Sequence, residues 1–295
     1  MSLQNNIIEE GGHAIQNVDR IPRELIPLTL ERVKNEIIFK AFPTLSHDAV
    51  FVTGSTGKKP DSGDIDVCVD IRSLNGSALT NLMLLNQFCG KNLDIPGYIN
   101  TFTLDQLHIR FPQGDTDKYV QVDIMLTKNP DFVKFFACGD VEHTKYKLAH
   151  RNVLFDAILF AISSVVEQED ENGLPLTWGT LKMASSGIFK IWCSLLDEAG
   201  KRLTWDGKEI YHGGYVRIIQ RNLYMNSPEL AIDLMFGPKV TKEQLGNFEQ
   251  VFNLILSPEF KFHKMHKKIL WWAYVLLNGN EKLDMPEELL HYVEI

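Results

Sequence analysis

Gly54 and Ser55 end a short apolar run, and after a loop of eight residues, 56–63, Asp64 and Asp66 open another, DIDVCVD. Glycine lets a backbone approach a large anion with no side chain in the way, and serine donates to it from its N–H and its hydroxyl. Aspartates at i and i+2 leave a strand on the same face. Two carboxylates that converge there repel each other unless cations lie between them. Residues 51–70 therefore combine phosphate contacts with ligands for a hard divalent cation, and the chemistry they suit is phosphoryl transfer.

Two familiar phosphate loops do not fit GSTGKK. A Walker-type loop, G-x-x-x-x-G-K-[ST], would need glycine where Val52 stands and Ser or Thr where Lys59 stands. A dinucleotide-binding loop, G-x-G-x-x-G, opens a helix, whereas this chain runs on through Pro60 and Gly63 into an alternating strand pattern. A further acid lies in YVQVDIMLT, where Val120, Val122, Ile124 and Leu126 face one way and Gln121, Asp123 and Met125 the other. Asp123 is the one acid of that strand, and a charge in apolar surroundings is costly unless paired or metal-bound. Asp70 continues the face of Asp64 and Asp66 and reads as a solvated strand end or a capping residue.

A Gly-Ser at a strand end, a turn, and Asp-x-Asp on the next strand resemble the signature of the DNA polymerase beta-like nucleotidyltransferase superfamily. The resemblance covers about residues 49–127 well and the rest in outline. It implies an α+β fold, with a mixed or antiparallel sheet and flanking helices followed by a mainly helical domain that closes over the nucleotide. It also implies two Mg²⁺ ions, with Mn²⁺ as a substitute, held by Asp64, Asp66 and Asp123 as the catalytic acids. Asp64 and Asp66 would bridge both ions and Asp123 complete one site and accept a proton. In-line attack of a hydroxyl on the α-phosphorus of an NTP would release pyrophosphate. Gly54 and Ser55 are then nucleotide-binding, with Lys58, and less so Lys59, beside the triphosphate.

Further cations come from HTKYKLAHRN at 143–152, where Lys147 and Arg151 are four apart on a predicted helix. Their face either reaches the β- and γ-phosphates opposite Ser55 or is an ordinary solvated basic face. FKFHKMHKKI at 260–269 carries four lysines and two histidines, and reads as one face of an amphipathic helix or as an RNA-contacting surface. His263 and His266 have no Cys or carboxylate cluster beside them to suggest zinc. Trp271, Trp272 and Tyr274 are expected to pack in the core rather than stack on bases.

The elements that must position these groups follow from periodicity. Apolar spacing of three and four predicts a helix over 27–42, with Pro27 in its first turn. Strands are predicted at 49–53, 64–71, 99–103, 107–111 and 119–127, with a helix at 77–88. These make a catalytic domain over residues 1–140. Residues 141–295 are expected to be mainly helical, with helices at 141–167, 215–223, 228–236, 241–256, 260–277 and 286–293. Residues 168–213 are the least readable: EQEDENG is an acidic connector, and LTWGTLKMASSGIFKIW is a hairpin or an irregular insertion.

The chain of 295 residues is long enough for one large domain or two ordinary ones. Its four cysteines are widely spaced, with no C-x-x-C pair, and are read as reduced, mostly buried thiols. No apolar run is long enough to span a bilayer and no secretory signal is recognisable, so a cytoplasmic protein with no membrane partner and no obligate protein partner is expected. A net charge of -8 excludes a chain that binds polyanions over its whole surface, so a nucleic-acid substrate needs a local basic patch. The leading expectation is transfer from ATP or CTP to an RNA 3′ end, with tRNA the foremost acceptor. Nucleotidylation of a small molecule or a protein, synthesis of signalling oligonucleotides, and an inactive binding module are the alternatives.

Overall fold

A computed structural model of the chain describes residues 15–93, 95, 97–99, 106–140, 142–169, 171, 175–196, 199–202, 204–205, 208–209, 217–280 and 283–292. It is an α+β structure with several open sheets, and it divides into two compact units, Met1–Lys134 and Phe135–Ile295.

The first unit begins with α1 (Ile26–Arg32), whose Pro27 sits in the first turn, where its missing N–H has no intrahelical partner to lose. α1 continues through a π-helical turn, Val33–Ile38, into Phe39–Ala41. Val33, Ile37 and Ile38 are fully buried by it. The sheet comprises β1 (Val50–Val52), β2 (Asp64–Asp70), β3 (Gly97–Ile99), β4 (Gln106–Pro112) and β5 (Tyr119–Thr127), in the order β1-β2-β5-β4-β3. β2 and β5 run parallel, and the other neighbours are antiparallel. The predicted strand at 99–103 lies mostly outside the described residues.

Alternation decides which side of this sheet is dry. Ile65, Val67 and Val69 from β2, Leu107 and Ile109 from β4, and Val120, Val122 and Ile124 from β5 are all fully buried. Leu82, Leu85 and Cys89 of α2 (Ala78–Leu93) join the same core. Each such aliphatic side chain stabilises the fold by about 1.5–3 kcal/mol. The intervening residues of β2 and β5 are thereby held on the opposite face.

In sequence, α3 (Pro130–Ala137) spans the division between the units. The second unit contains α4 (Leu148–Ser163), β6 (Val165–Glu169), β7 (Pro175–Ala184), β8 (Gly187–Ser194), β9 (Arg217–Met225), α5 (Pro228–Phe236), α6 (Phe248–Leu256), α7 (His266–Asn278) and α8 (Glu287–Leu290). α4 packs against α7 and β7. The four strands form an antiparallel sheet in the order β9-β8-β7-β6, so this unit adds a sheet to its helices. Residues 175–194 are the hairpin, and Trp178, Ile191 and Cys193 form the small core on its inner side.

The predicted helix at 215–223 is corrected to β9, which lies along β8 with Ile188 opposite Met225 and Ile191 opposite Arg221. Its β-branched Ile218 suits a pleated surface, and pairing with β8 settles what a short apolar run leaves ambiguous. The long helix at 141–167 starts only at Leu148 and ends at Ser163. The helix at 241–256 breaks at Gly246–Asn247, where Asn247 caps α6 by accepting from Gln250 N. α5 matches its predicted bounds and is capped by Ser227, which accepts from Leu230 N.

Cys68, Cys89 and Cys193 are buried and Cys138 is half-buried, all as thiols. Burial pushes the thiols of Cys89 and Cys193 up to about 11, away from thiolate chemistry. Among the described residues no helix is long and apolar enough to cross a membrane.

Candidate metal centre

β2 and β5 run side by side in parallel, with Asp66 directly opposite Asp123 and Asp64 opposite Gln121. One carboxylate oxygen from each of Asp64, Asp66 and Asp123 lies within 4.8 Å of the others, a spacing that a single metal ion can bridge. The strand period puts all three on the face away from the aliphatic core. Hard carboxylate oxygens in this number suit Mg²⁺ or Mn²⁺ better than soft metals.

Asp66 is the electrostatic centre of the cluster. Burial pushes its carboxyl well above the usual carboxylate range, and the neighbouring charges of Asp64 and Asp123 push it further the same way. A half-buried carboxylate between two like charges is stabilised by a proton or by a cation. That is the physical test the donor set passes for a divalent ion.

The loop after β1 is fastened to the same residue. Thr53 N donates to Asp66 O at 3.0 Å, and Asp66 N donates to the Thr56 hydroxyl at 2.9 Å. Gly57 N donates to the buried Ser62 hydroxyl at 3.3 Å. Gly54, at φ +63°, lies so close that a Cβ placed on it would stand 2.2 Å from Asp66 Oδ2. Its glycine is therefore required by the carboxylate itself, a reason the sequence did not disclose. Ser55 is exposed at the loop tip, Lys58 is half-buried and Lys59 is exposed.

Three residues beside the acids were missed from sequence. His108 of β4 stands opposite Asp123 and is almost wholly buried, with Nδ1 2.7 Å from Asp123 Oδ1. Gln121 Nε2 donates to the same oxygen at 2.8 Å. Arg110 stands opposite Gln121, with its guanidinium carbon 3.8 Å from the centre of the Tyr119 ring. The alternation of LHIRF puts His108 and Arg110 on the face opposite Leu107 and Ile109, and that of YVQVDIMLT already puts Gln121 on the face of Asp123. Asp70, by contrast, is engaged by Arg72 at 2.6 Å and accepts from Arg72 N at 3.0 Å, as a strand-end cap does.

The basic residues expected from the second unit stand differently. The phosphate-binding role expected for Arg151 is corrected: its side chain is buried, and its guanidinium donates to the carbonyls of Phe135, Phe136, Cys138 and Leu245 and to Asn152 Oδ1. Burial lowers its pKa to about 10. All of its N–H donors are engaged, so it organises chain turns rather than a ligand. Lys147 does not share its face, because α4 begins at Leu148 and Lys147 is the exposed residue that precedes it. Lys145 pairs with Glu288 at 3.0 Å.

Within 260–269, Lys261 donates to Asp233 O at 2.9 Å at the end of α5, and Lys268 donates to Ala161 O at 3.1 Å near the end of α4. Both lysines satisfy helix carbonyls and complement the helix dipole. Lys264 and Lys267 are exposed. The rings of His263 and His266 stack at 5.0 Å, and His266 Nδ1 bonds His263 O at 2.6 Å. Trp272 packs edge-on against Phe160, while Trp271 is 43% exposed. Comparison of the chain with protein-family models and with curated proteins gives no match, so the functional reading rests on these residues and their geometry.

Proposed function

We propose that the protein is a metal-dependent nucleotidyltransferase of the DNA polymerase beta-like type, which moves NMP from ATP or CTP to an acceptor hydroxyl. The observation that carries this reading is the register of Asp66 with Asp123 on parallel strands, with Asp64 alongside and the Gly54–Ser55 loop fastened over Asp66. Asp64, Asp66 and Asp123 would hold two Mg²⁺ ions, or Mn²⁺ in their place. When bound, the metal neutralises the triphosphate and lowers the pKa of the attacking hydroxyl.

The chain's own residues supply the rest. Ser55 N–H and hydroxyl, with Lys58, bind the triphosphate from the loop. The acceptor oxygen bonds to the α-phosphorus as the bond from that phosphorus to the bridging oxygen breaks, and pyrophosphate leaves. The hydroxyl's proton passes to the Asp123 carboxylate. Positioning and charge neutralisation carry such a transfer, so no covalent nucleophile is needed.

For the acceptor we propose an RNA 3′ end, with Lys264 and Lys267 as its basic contacts. A second reading, transfer to a small molecule or a protein, is favoured by the tying of Arg151, Lys261 and Lys268 to backbone carbonyls. Incubation with labelled NTPs and Mg²⁺, alone, with RNA, and with cell extract, followed by mass spectrometry of the products, separates the two. Absence of any labelled product in all three mixtures, with Asp66→Ala indistinguishable from the unaltered protein, refutes nucleotidyl transfer.

A further inference from the structure

We infer that His108 and Gln121 decide which divalent ion the acidic centre accepts, by holding Asp123 as a ligand through one oxygen only. The inference builds on the metal-dependent reading above and concerns selectivity. Asp123 Oδ1 receives two N–H donors, His108 Nδ1 at 2.7 Å and Gln121 Nε2 at 2.8 Å. A carboxylate only accepts, so the His108 proton must be on Nδ1 in this contact. The Gln121 amide has its orientation fixed from the other end, because its Oε1 accepts from Ile15 N at 3.1 Å. His108 is 5% exposed and Gln121 is 1% exposed, so neither donor has water as a ready substitute.

Two charge-assisted hydrogen bonds fill the lone-pair directions of Oδ1 and leave Oδ2 to meet a cation. Two-oxygen chelation would turn Oδ1 toward the ion and strand both buried donors, which costs about 1–3 kcal/mol for each unsatisfied group. Mg²⁺ takes single oxygens in a tight octahedron at about 2.0–2.1 Å, whereas Ca²⁺ takes six to eight oxygens, often by carboxylate chelation, at about 2.3–2.6 Å. Holding Asp123 to one oxygen therefore favours Mg²⁺ and Mn²⁺ and penalises Ca²⁺. Partners of this kind, bonded to a ligand rather than to the metal, typically alter metal affinity by about 10–100-fold when removed.

The test is metal binding by the full chain, read by Mn²⁺ electron paramagnetic resonance with Mg²⁺ and Ca²⁺ as competitors. The unaltered protein is expected to bind Mg²⁺ in preference to Ca²⁺. Gln121→Met and His108→Phe should each shrink that preference by about 10-fold, chiefly by strengthening Ca²⁺, whereas His108→Asn, which keeps a donor near Oδ1, should restore most of it. Melting curves in chelator identify any variant that does not fold, and Gln121→Met with His108→Asn then carry the comparison. An Mg²⁺ to Ca²⁺ ratio unchanged within about 2-fold in Gln121→Met, or equal weakening of both ions, overturns the inference. Because the readout needs no NTP, altered selectivity without turnover would count against nucleotidyl transfer alone, and turnover with unaltered selectivity against this inference alone.

Discussion

Replacing Asp66 by Asn should stabilise the metal-free protein while abolishing its response to metal. Two unit charges no more than 4.8 Å apart repel by at least about 3 kcal/mol at an effective dielectric of about 20. Asp66 has two such neighbours, and burial adds to the cost of its charge. Allowing for counterions and water, the amide should gain about 2–4 kcal/mol over an ionised carboxylate, on the order of 10 °C in melting temperature for a unit of this size. The sign with pH follows from linkage. An unfolded aspartate titrates near pH 3.9, and the folded group titrates higher, so between those values the folded state holds the extra proton. Below about pH 4 both states are protonated and the two proteins should melt alike. As pH rises toward the raised folded value, the unaltered protein loses about 1.4 kcal/mol per unit while Asp66→Asn does not, and the gap then levels off. The assay is thermal or urea unfolding in chelator from pH 4 to 8, repeated with Mg²⁺ or Mn²⁺, which should raise the melting point of the unaltered protein only. Parallel pH profiles, or a less stable Asp66→Asn at pH 8 in chelator, would refute the reasoning.

Gly54→Ala should destabilise the fold by about 1–3 kcal/mol and abolish the metal-induced rise in melting temperature, because its φ of +63° disfavours a side chain and its Cβ would meet Asp66 Oδ2. Gly57→Ala, at φ +74° with nothing within 4 Å, should cost only the backbone strain, about 1 kcal/mol, and keep the metal response. Arg151→Lys leaves several of its carbonyl acceptors unpaired and should lower stability by about 3–5 kcal/mol. A folded Arg151→Lys of unchanged stability but raised KM for NTP would return Arg151 to the phosphates.

The acids were legible because a strand's period of two is a local rule. Ile65 and Val67, or Val122 and Ile124, can only be buried together, and Asp64, Asp66 and Asp123 must then emerge on the other side. His108 obeys the same rule, yet its meaning depends on β4 lying beside β5 in a register that brings it opposite Asp123. That register is set by the packing of the whole sheet, and nothing near His108 in sequence encodes it.

Arg151 fails for the complementary reason. A helical projection pairs it with Lys147 only if the helix already exists at Lys147, and the helix begins one residue later. Once the guanidinium lies inward, the carbonyls of Phe135, Phe136, Cys138 and Leu245 join Asn152 Oδ1 as its acceptors, and those four are not visible as polar residue types. β9 was misread because Ile218 and Ile219 fit either period until β8 supplies hydrogen-bond partners.

The difference between these cases is where the acceptor of charge comes from. A carboxylate cluster finds no relief within a backbone made of carbonyls and amides already paired in strands, so its like charges must be met from outside, by protons or cations. A buried cation has the opposite prospect, since every loop offers carbonyl oxygens. Buried Arg151 takes that course, and the exposed Lys261 and Lys268 bond helix carbonyls in the same way. Converging acids on paired strands therefore point outward to a ligand more dependably than cations at helix spacing do, and the metal centre, rather than the basic segments, is the feature on which the function proposed here depends.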